Sequence, residues 1–442
     1  MKRILQFALR LDHTAVERVR ADADGIVVEV RPWARYARRC PVCGRKCDVY
    51  DTRAPSRWRA MDVAASKCYL EYASRRVSCP EHGVHAEMLP WARPRSRMTR
   101  DFEEWVAFLA VRCSVADVAR AARVEWHTVG RVCARVLADL EAARGAGRFE
   151  GLRRIGIDET SYKKGHKYVT VVVDHDSGRL VWAHEGLGRG VLNAFLDALT
   201  REQRRAVEVV TADGARWIRS LVRRRCPSAR WVMDPFHVVS WMNDALDDVR
   251  CSEWRVAKAR AAKLAPRRSR PGRPSKGDET PPEAAEAKRA AEEIKGTRWA
   301  LVKDPGSLTE GQRGKLEALK RRAGSRLFRA WELKEDLRAV FRAPGPDEAR
   351  RLLEKWLHDA AYCRIEQVVA VEKKVRRRKE DVLAAVELGA SNARVEAINN
   401  KIKVTVRMSY GFRNVDNMIG LLMLRCSDVK PQRPEAVWRG RP

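Results

Sequence analysis

Apolar and polar positions follow two different periods along this chain, and the change of period divides it. Across residues 99–140 the period is helical. Phe102, Val106, Leu109 and Ala110 form one stripe, Val115, Val118 and Ala119 a second, and Val129, Val132 and Val136 a third. A short break at Arg123 and Val124 separates the second stripe from the third. That spacing predicts three helices, the last two joined by a tight turn. From Arg153 the pattern becomes strand-like. RRIGIDET reads as a short buried strand ending at Asp158, and KYVTVVVD and RLVWA as two more, parted by a turn at Asp176, Ser177 and Gly178. LNAFLDAL is a helix, EVVTADG a fourth strand ending at Asp213, ARWIRSLVRR a helix, and RWVMDPFH a fifth strand ending at Asp234. Residues 238–386 return to helical spacing with long charged runs. They are interrupted by the stretch 266–282, whose Pro, Gly, Ser and Lys content reads as a linker. A final helix opens after Ser391 and Asn392 and carries Glu396.

These elements predict a multidomain chain, α/β plus α. Its parts are N-terminal strands with a zinc ribbon (1–98), a three-helix unit (99–145), a mixed sheet (150–255), a helical insertion (256–385), and returning helices (386–442). Three strands, a helix, a strand, a helix and a strand, with acids closing the first and fourth strands, is the ribonuclease H-like order. Neighbouring parallel strands lie about 4.8 Å apart, so carboxylates at matching ends can share metal ions. Asp158 and Asp213 are the first two such acids, and Glu396 is the expected third. A lone Glu on a basic helix is ordinarily a solvated ion pair, but two strand-end aspartates ask for a partner.

Charge narrows the partner. Lys plus Arg is 89 and Asp plus Glu is 58, a formal balance of +31 over 442 residues. Such a surface attracts polyanions without specifying sequence, although an Arg-rich solvated surface gives the same number. No apolar run approaches the roughly 18–20 residues of a membrane span, and no signal-peptide pattern opens the sequence, so neither secretion nor insertion is expected. The 11 Cys are odd in number, which argues against a disulfide framework.

Four residues have metal-ligand spacing. Cys40 and Cys43 in CPVCG, and Cys79 and His82 in CPEHG, make two knuckles of the kind that hold structural Zn²⁺ tetrahedrally. The 35 intervening residues suit a ribbon carrying strands such as 67–72, and His85, Cys47 and Cys68 are alternatives for the fourth ligand. The helices over 99–140 fit a helix-turn-helix, with Trp126, His127, Thr128 and Arg131 at the start of the base-reading helix; a plain three-helix unit has the same periodicity. Asn399, Asn400 and Lys403 follow Glu396 at helical offsets and offer amides and an ammonium to DNA phosphates. Asp234 and His237 in DPFH admit two readings, assistance at a metal edge or a DNA contact, against helix capping. The Arg-Pro-Gly-Arg-Pro core of the linker resembles a minor-groove hook, a reading weaker than that of a plain linker, and the basic run 373–379 fits a phosphate-contacting or solvated helix face.

CPVC and CPEHG, IGIDETSYKKGHKY, DPFHVV and SNARVEAINNKIK followed by YGFRN together resemble the ISL-three family of bacterial insertion-sequence transposases over nearly the whole chain. The resemblance implies a DDE triad carried by Asp158, Asp213 and Glu396, binding two Mg²⁺ or Mn²⁺ ions. It also implies DNA cleavage and strand transfer, and a helical insertion in the catalytic domain. Gly214 departs from the family pattern, in which a methionine or similar bulky residue follows the second acid. The expected partners are double-stranded DNA, as terminal inverted repeats and as target, and further copies of the chain in a homo-oligomer. No nucleotide cofactor is expected, because no Walker-type loop is present, and the expected location is the bacterial cytoplasm at the nucleoid. A catalytically silent DNA-binding regulator, or a nuclease that cuts without joining, are the alternatives.

Overall fold

The computed structural model describes residues 2–145, 147–213, 215–264, 281–322 and 324–435. The linker with its Arg-Pro-Gly-Arg-Pro core, apart from its last residues, and Gly214 lie outside the described residues. After a short helix, Lys2–Ala8, the N-terminal part builds two sheets. The larger orders its strands Thr14–Asp22, Gly25–Pro32, Ser66–Tyr72 and Ser56–Val63. Its alternating apolar positions, Val28, Val30, Trp58 and Leu70, pack with Leu5, Leu9 and Trp91. The smaller sheet orders Asp48–Thr52, Arg75–Cys79 and Gly83–Ala86 and carries the knuckles. The expectation that 67–72 belongs to the ribbon is therefore corrected. Its apolar residues alternate, so Cys68 and Leu70 both enter the core of the larger sheet, and the ribbon is interrupted by a hairpin of its neighbour.

Three helices follow, Arg100–Ala110, Val115–Ala122 and Trp126–Ala143. Thr99 and Ser114 cap the first two, each hydroxyl accepting a backbone N–H from the first turn. Arg123 ends the second helix in the left-handed region, φ 54°. This is the break expected at Arg123, and it turns the chain into the third helix. Arg123 also binds Asp62 and the Ala65 carbonyl, which fastens the turn to the larger N-terminal sheet. Arg93 and Glu103, both buried and 3.0 Å apart, tie the preceding segment to the helices, with Arg135 on the same carboxylate.

The central sheet has five strands: first Arg154–Lys163, second Lys167–Asp174, third Leu180–Glu185, fourth Val209–Ala212 and fifth Arg230–Met233. Their spatial order is third, second, first, fourth, fifth. The first three are antiparallel neighbours, and the fourth runs parallel to both the first and the fifth. The run KYVTVVVD sorts its valines by parity. Val169, Val171 and Val173 face a core shared with the three helices above and with helices Ala393–Met408 and Val415–Cys426. Val172 faces the core beneath helices Arg189–Ala198 and Arg216–Arg225. The sheet is thus covered on both sides, as its continuous apolar runs require. Asp158 does not close its strand, as the sequence reading had it. The strand runs five residues further because it pairs with the second strand as far as Lys163.

From the fifth strand a 30-residue helix, Pro235–Leu264, leads into an all-helical body. That body includes Arg326–Phe341, Pro346–Ala361 and Glu366–Arg376. Met242, Leu246, Leu333, Leu337, Leu353 and Trp356 lie in its core, where the indole N–H of Trp356 donates to the Leu333 carbonyl at 2.7 Å. Helix Lys379–Glu387 then returns the chain to the fifth strand. Among the described residues no helix is long and apolar enough to cross a membrane.

Candidate active site and zinc knuckles

Register brings the acids together. In the parallel ladders Val209 stands opposite Arg154 and Ala212 opposite Met233. Carried forward, the first ladder sets Asp213 level with Asp158, since each lies four residues beyond a paired position. The second sets Asp234 level with Asp213. Three adjacent strands thus set these acids in a row, backbone to backbone at about the 4.8 Å strand spacing. The row lies at the carboxyl ends of the fourth and fifth strands and just past the parallel pairing of the first.

Helix Ala393–Met408 closes the row from above. Asn399 is buried, and its amide Nδ2 donates to Oδ2 of Asp158 at 2.7 Å. The other oxygen, Oδ1, accepts the Glu159 N–H at 2.8 Å. Glu396 lies one turn earlier on the same face, exposed at the helix start, and its charge acts on Asp234. The approach depends on Gly156. A Cβ there would stand 2.3 Å from Cγ2 of Val395 and 2.7 Å from Nε2 of His175. Only a glycine lets this helix lie so close to the first strand.

The electrostatics are those of crowded carboxylates. Burial pushes the Asp158 carboxyl above its ordinary value, and the charge of Asp213 adds to this; hydrogen bonds from Glu159 and Asn399 and the nearby His237 oppose it. Burial likewise raises Asp234. Glu159 is also raised by burial and is held by the Gly188 N–H at 2.8 Å. His237 sits within the field of both Asp158 and Asp234. Asp234 accepts the Asn392 N–H at 3.1 Å and the Phe236 N–H at 3.4 Å, so it holds the starts of two helices. Behind the row runs a buried relay. Nε2 of His175 meets the Thr211 hydroxyl at 2.6 Å, and that hydroxyl donates to Oδ1 of Asn392. Glu159, His175, Thr211 and Gly156 are not singled out in the sequence reading, and Asn392 enters it only as the residue before the last helix. Only the Asp-Glu doublet at 158–159 gave a local signal; the others matter through contacts distant in sequence.

The knuckles close on each other. The Sγ atoms of Cys43 and Cys79 are 3.8 Å apart, and Nδ1 of His82 is 3.5 Å from Cys79 and 3.9 Å from Cys40. A tetrahedron with Zn–S of about 2.3 Å has an S···S edge of about 3.8 Å, so the donor set fits Zn²⁺. The hydrogen bond from His82 pulls the Cys79 thiol down to about 6, towards the thiolate a metal needs. His85 instead turns Nε2 to the His82 carbonyl at 2.6 Å, and Cys68 is in the neighbouring core. Among the described residues, only Cys40, Cys43, Cys79 and His82 form a group with all ligand atoms within 4.8 Å; the acids are spread more widely along their row.

Two expected DNA contacts are turned inward. Thr128 is buried, and its hydroxyl accepts from Arg131 at 3.1 Å, because the third position of that helix faces its core. Asn399 is spent on Asp158. Trp126, His127, Arg131, Asn400 and Lys403 are exposed as expected.

Family models agree with this anatomy. One described as a transposase matches residues 155–422, and one for the helix-turn-helix domain of transposase family ISL3 matches 87–137. A third, the zinc-finger of the transposases of IS204, IS1001, IS1096 and IS1165, matches 37–82. The transposase for insertion sequence element IS1557 of Mycobacterium tuberculosis is 42% identical over 93% of this chain and 91% of its own. The transposase for insertion sequence element IS1001 of Bordetella parapertussis is 26% identical over 90% of this chain and 92% of its own.

Proposed function

We propose that this chain, which belongs to the ISL3 family of insertion-sequence transposases, cuts and joins DNA with Asp158, Asp213 and Glu396 on a ribonuclease H-like frame. The strand order, with two antiparallel and two parallel pairings, supports that frame. The observation that carries the triad is the 2.7 Å bond from Asn399 to Asp158, which holds the helix bearing Glu396 against the first strand at Asp158.

The donor set fits hard cations. It offers carboxylate oxygens, of which those of Asp158 are desolvated and lie in the field of Asp213, a strain that a bound cation would relieve. Asp158, Asp213 and Glu396 would hold Mg²⁺ or Mn²⁺, which when bound activates the attacking oxygen and stabilises the leaving one at phosphorus. Asn399 orients the Asp158 carboxylate. Asp234 positions the start of the Glu396 helix, and His237 lies beside Asp158 and Asp234. The +31 balance supplies the attraction to DNA.

Asp158→Ala, Asp213→Ala and Glu396→Ala should each abolish cleavage and joining of the element's end oligonucleotides in Mg²⁺ while leaving duplex binding near wild type. Double replacements should cost little beyond singles, since the acids act as a unit. Strand transfer retained by Glu396→Ala would overturn the triad, and cutting without joining by the unaltered chain would make it a nuclease.

A further inference from the structure

The start of helix Trp126–Ala143 does not face open solvent alone. Trp126 and His127 form one wall of a groove of about 770 Å³. The other walls are Tyr162 and Lys163 from the end of the first sheet strand, and the loop from Ser409 to Asn414. Two parts of the chain about 250 residues apart thus share one groove with the helix expected to read bases.

The groove is fixed rather than incidental. A Cβ on Gly130 would lie 2.6 Å from Cγ of Asn417, so helices Trp126–Ala143 and Val415–Cys426 touch almost backbone to side chain. Arg425 donates to the carbonyls of Ala110 and Cys113 at 3.0 and 3.1 Å, binding the first helix of the unit to the same body. The loop itself is costly to hold. Tyr410 sits at φ 51°, a conformation an aromatic residue rarely adopts, and its side chain is 91% exposed. Trp126, 37% exposed, lines the same groove.

The surface is basic. The hairpin turn between the first two strands carries Lys163, Lys164, His166 and Lys167, with Gly165 and His166 both at positive φ. Arg413 extends from the loop beside Lys163 and Lys167. None of Lys163, Lys164, Lys167 and Arg413 has an ion-pair partner among the described residues. The acids beside them are Asp416 and Glu185, and Glu185 is held by the Tyr162 hydroxyl at 2.8 Å. Unpaired cations set around two exposed aromatic rings are a surface for nucleic acid.

We propose that this groove, with the hairpin and Arg413, is a composite duplex-DNA surface, in which Tyr410 and Arg413 of the catalytic body grip the same duplex that the helix beginning at Trp126 reads. The proposal rests on the transposase reading and adds that end recognition is divided between the helix-turn-helix and the catalytic body.

The test uses the full chain and short duplexes from the DNA flanking its coding region, with scrambled duplexes as controls. Affinity is followed by anisotropy across a salt series. Arg413→Ala and Lys163→Ala should each bind about three- to tenfold more weakly, with the log–log salt slope shallower by about 1. Arg413→Lys should restore the slope. Tyr410→Ala should weaken binding with little change of slope, and Arg313→Ala, on an exposed helix of the insertion, should match wild type. Circular dichroism checks that each variant is folded. If folded Tyr410→Ala and Arg413→Ala bind flanking duplexes as the unaltered chain does, the composite surface is wrong while the transposase reading stands. If the unaltered chain shows no preference for flanking over scrambled duplexes, recognition of these ends by the helix-turn-helix falls together with the composite surface.

Discussion

Thr211 has no exposed surface, and two neighbours depend on its hydroxyl, His175 on one side and Asn392 on the other. Thr211→Val keeps the shape but leaves both polar atoms buried without a partner. It should cost about 1–3 kcal/mol in a urea melt. His175 also sets a pH dependence. Burial, with Arg154 and Arg394 adding, lowers its folded value to about 4 from 6.5, so the folded chain keeps the ring neutral while the unfolded chain protonates it. Between those values the unfolded state binds more protons, and stability falls as pH drops from about 6.5 to about 4, by at most about 3 kcal/mol. Asp158 and Asp234, raised by burial, act with the opposite sign. The difference between wild type and His175→Gln therefore isolates the histidine. A difference that stays flat from pH 7 to 4 would refute its part.

Among the elements, the helix carrying Glu396 depends most on one small residue. Gly156→Ala drives a methyl into Val395 and His175, so the helix must lift from the strand and Asn399 must lose its hold on Asp158. Overpacking of this kind costs about 1–3 kcal/mol, yet the loss of strand transfer should be far larger than the loss of stability. A melt and a joining assay on the same preparation compare the two. The sequence made much of this level legible. The valine run of the second strand and the break at Arg123 are both local signals. What it hid is non-local. The parity of Cys68 and Leu70 does not say which of two adjacent sheets they join. Nor can one strand's pattern reveal that its pairing with a neighbour carries it past Asp158. The chemistry of Thr128 and Asn399 suits DNA, but their helix positions turn them inward.

For the whole molecule, the knuckles stand apart from the other cores. Cys40, Cys47, Val77 and Cys79 form a small cluster of their own. Elemental analysis should find about one zinc per chain. Cys40→Ser should release it and unfold the ribbon, leaving the main thermal transition of the central sheet near its place. The helix-turn-helix is different. Phe102, Val132 and Val136 share one apolar core with Val171, Ile398 and Leu422. A fragment of about residues 1–150 would expose that face, and it should melt less cooperatively than the full chain.

That shared core makes the molecule a ruler. The helix proposed to read the repeat and the carboxylates proposed to cut are set in one packed body, so on that proposal the span between them is a fixed length and a fixed rotation about the duplex axis. DNA that lengthens this span by about 5 base pairs, half a helical turn, would turn the scissile phosphate to the far side of the duplex. An insertion of about 10 would restore its facing but carry it out of reach. Ends with either insertion should still be bound but not cut at the original junction. Cleavage that follows the displaced junction would mean that the packed core yields.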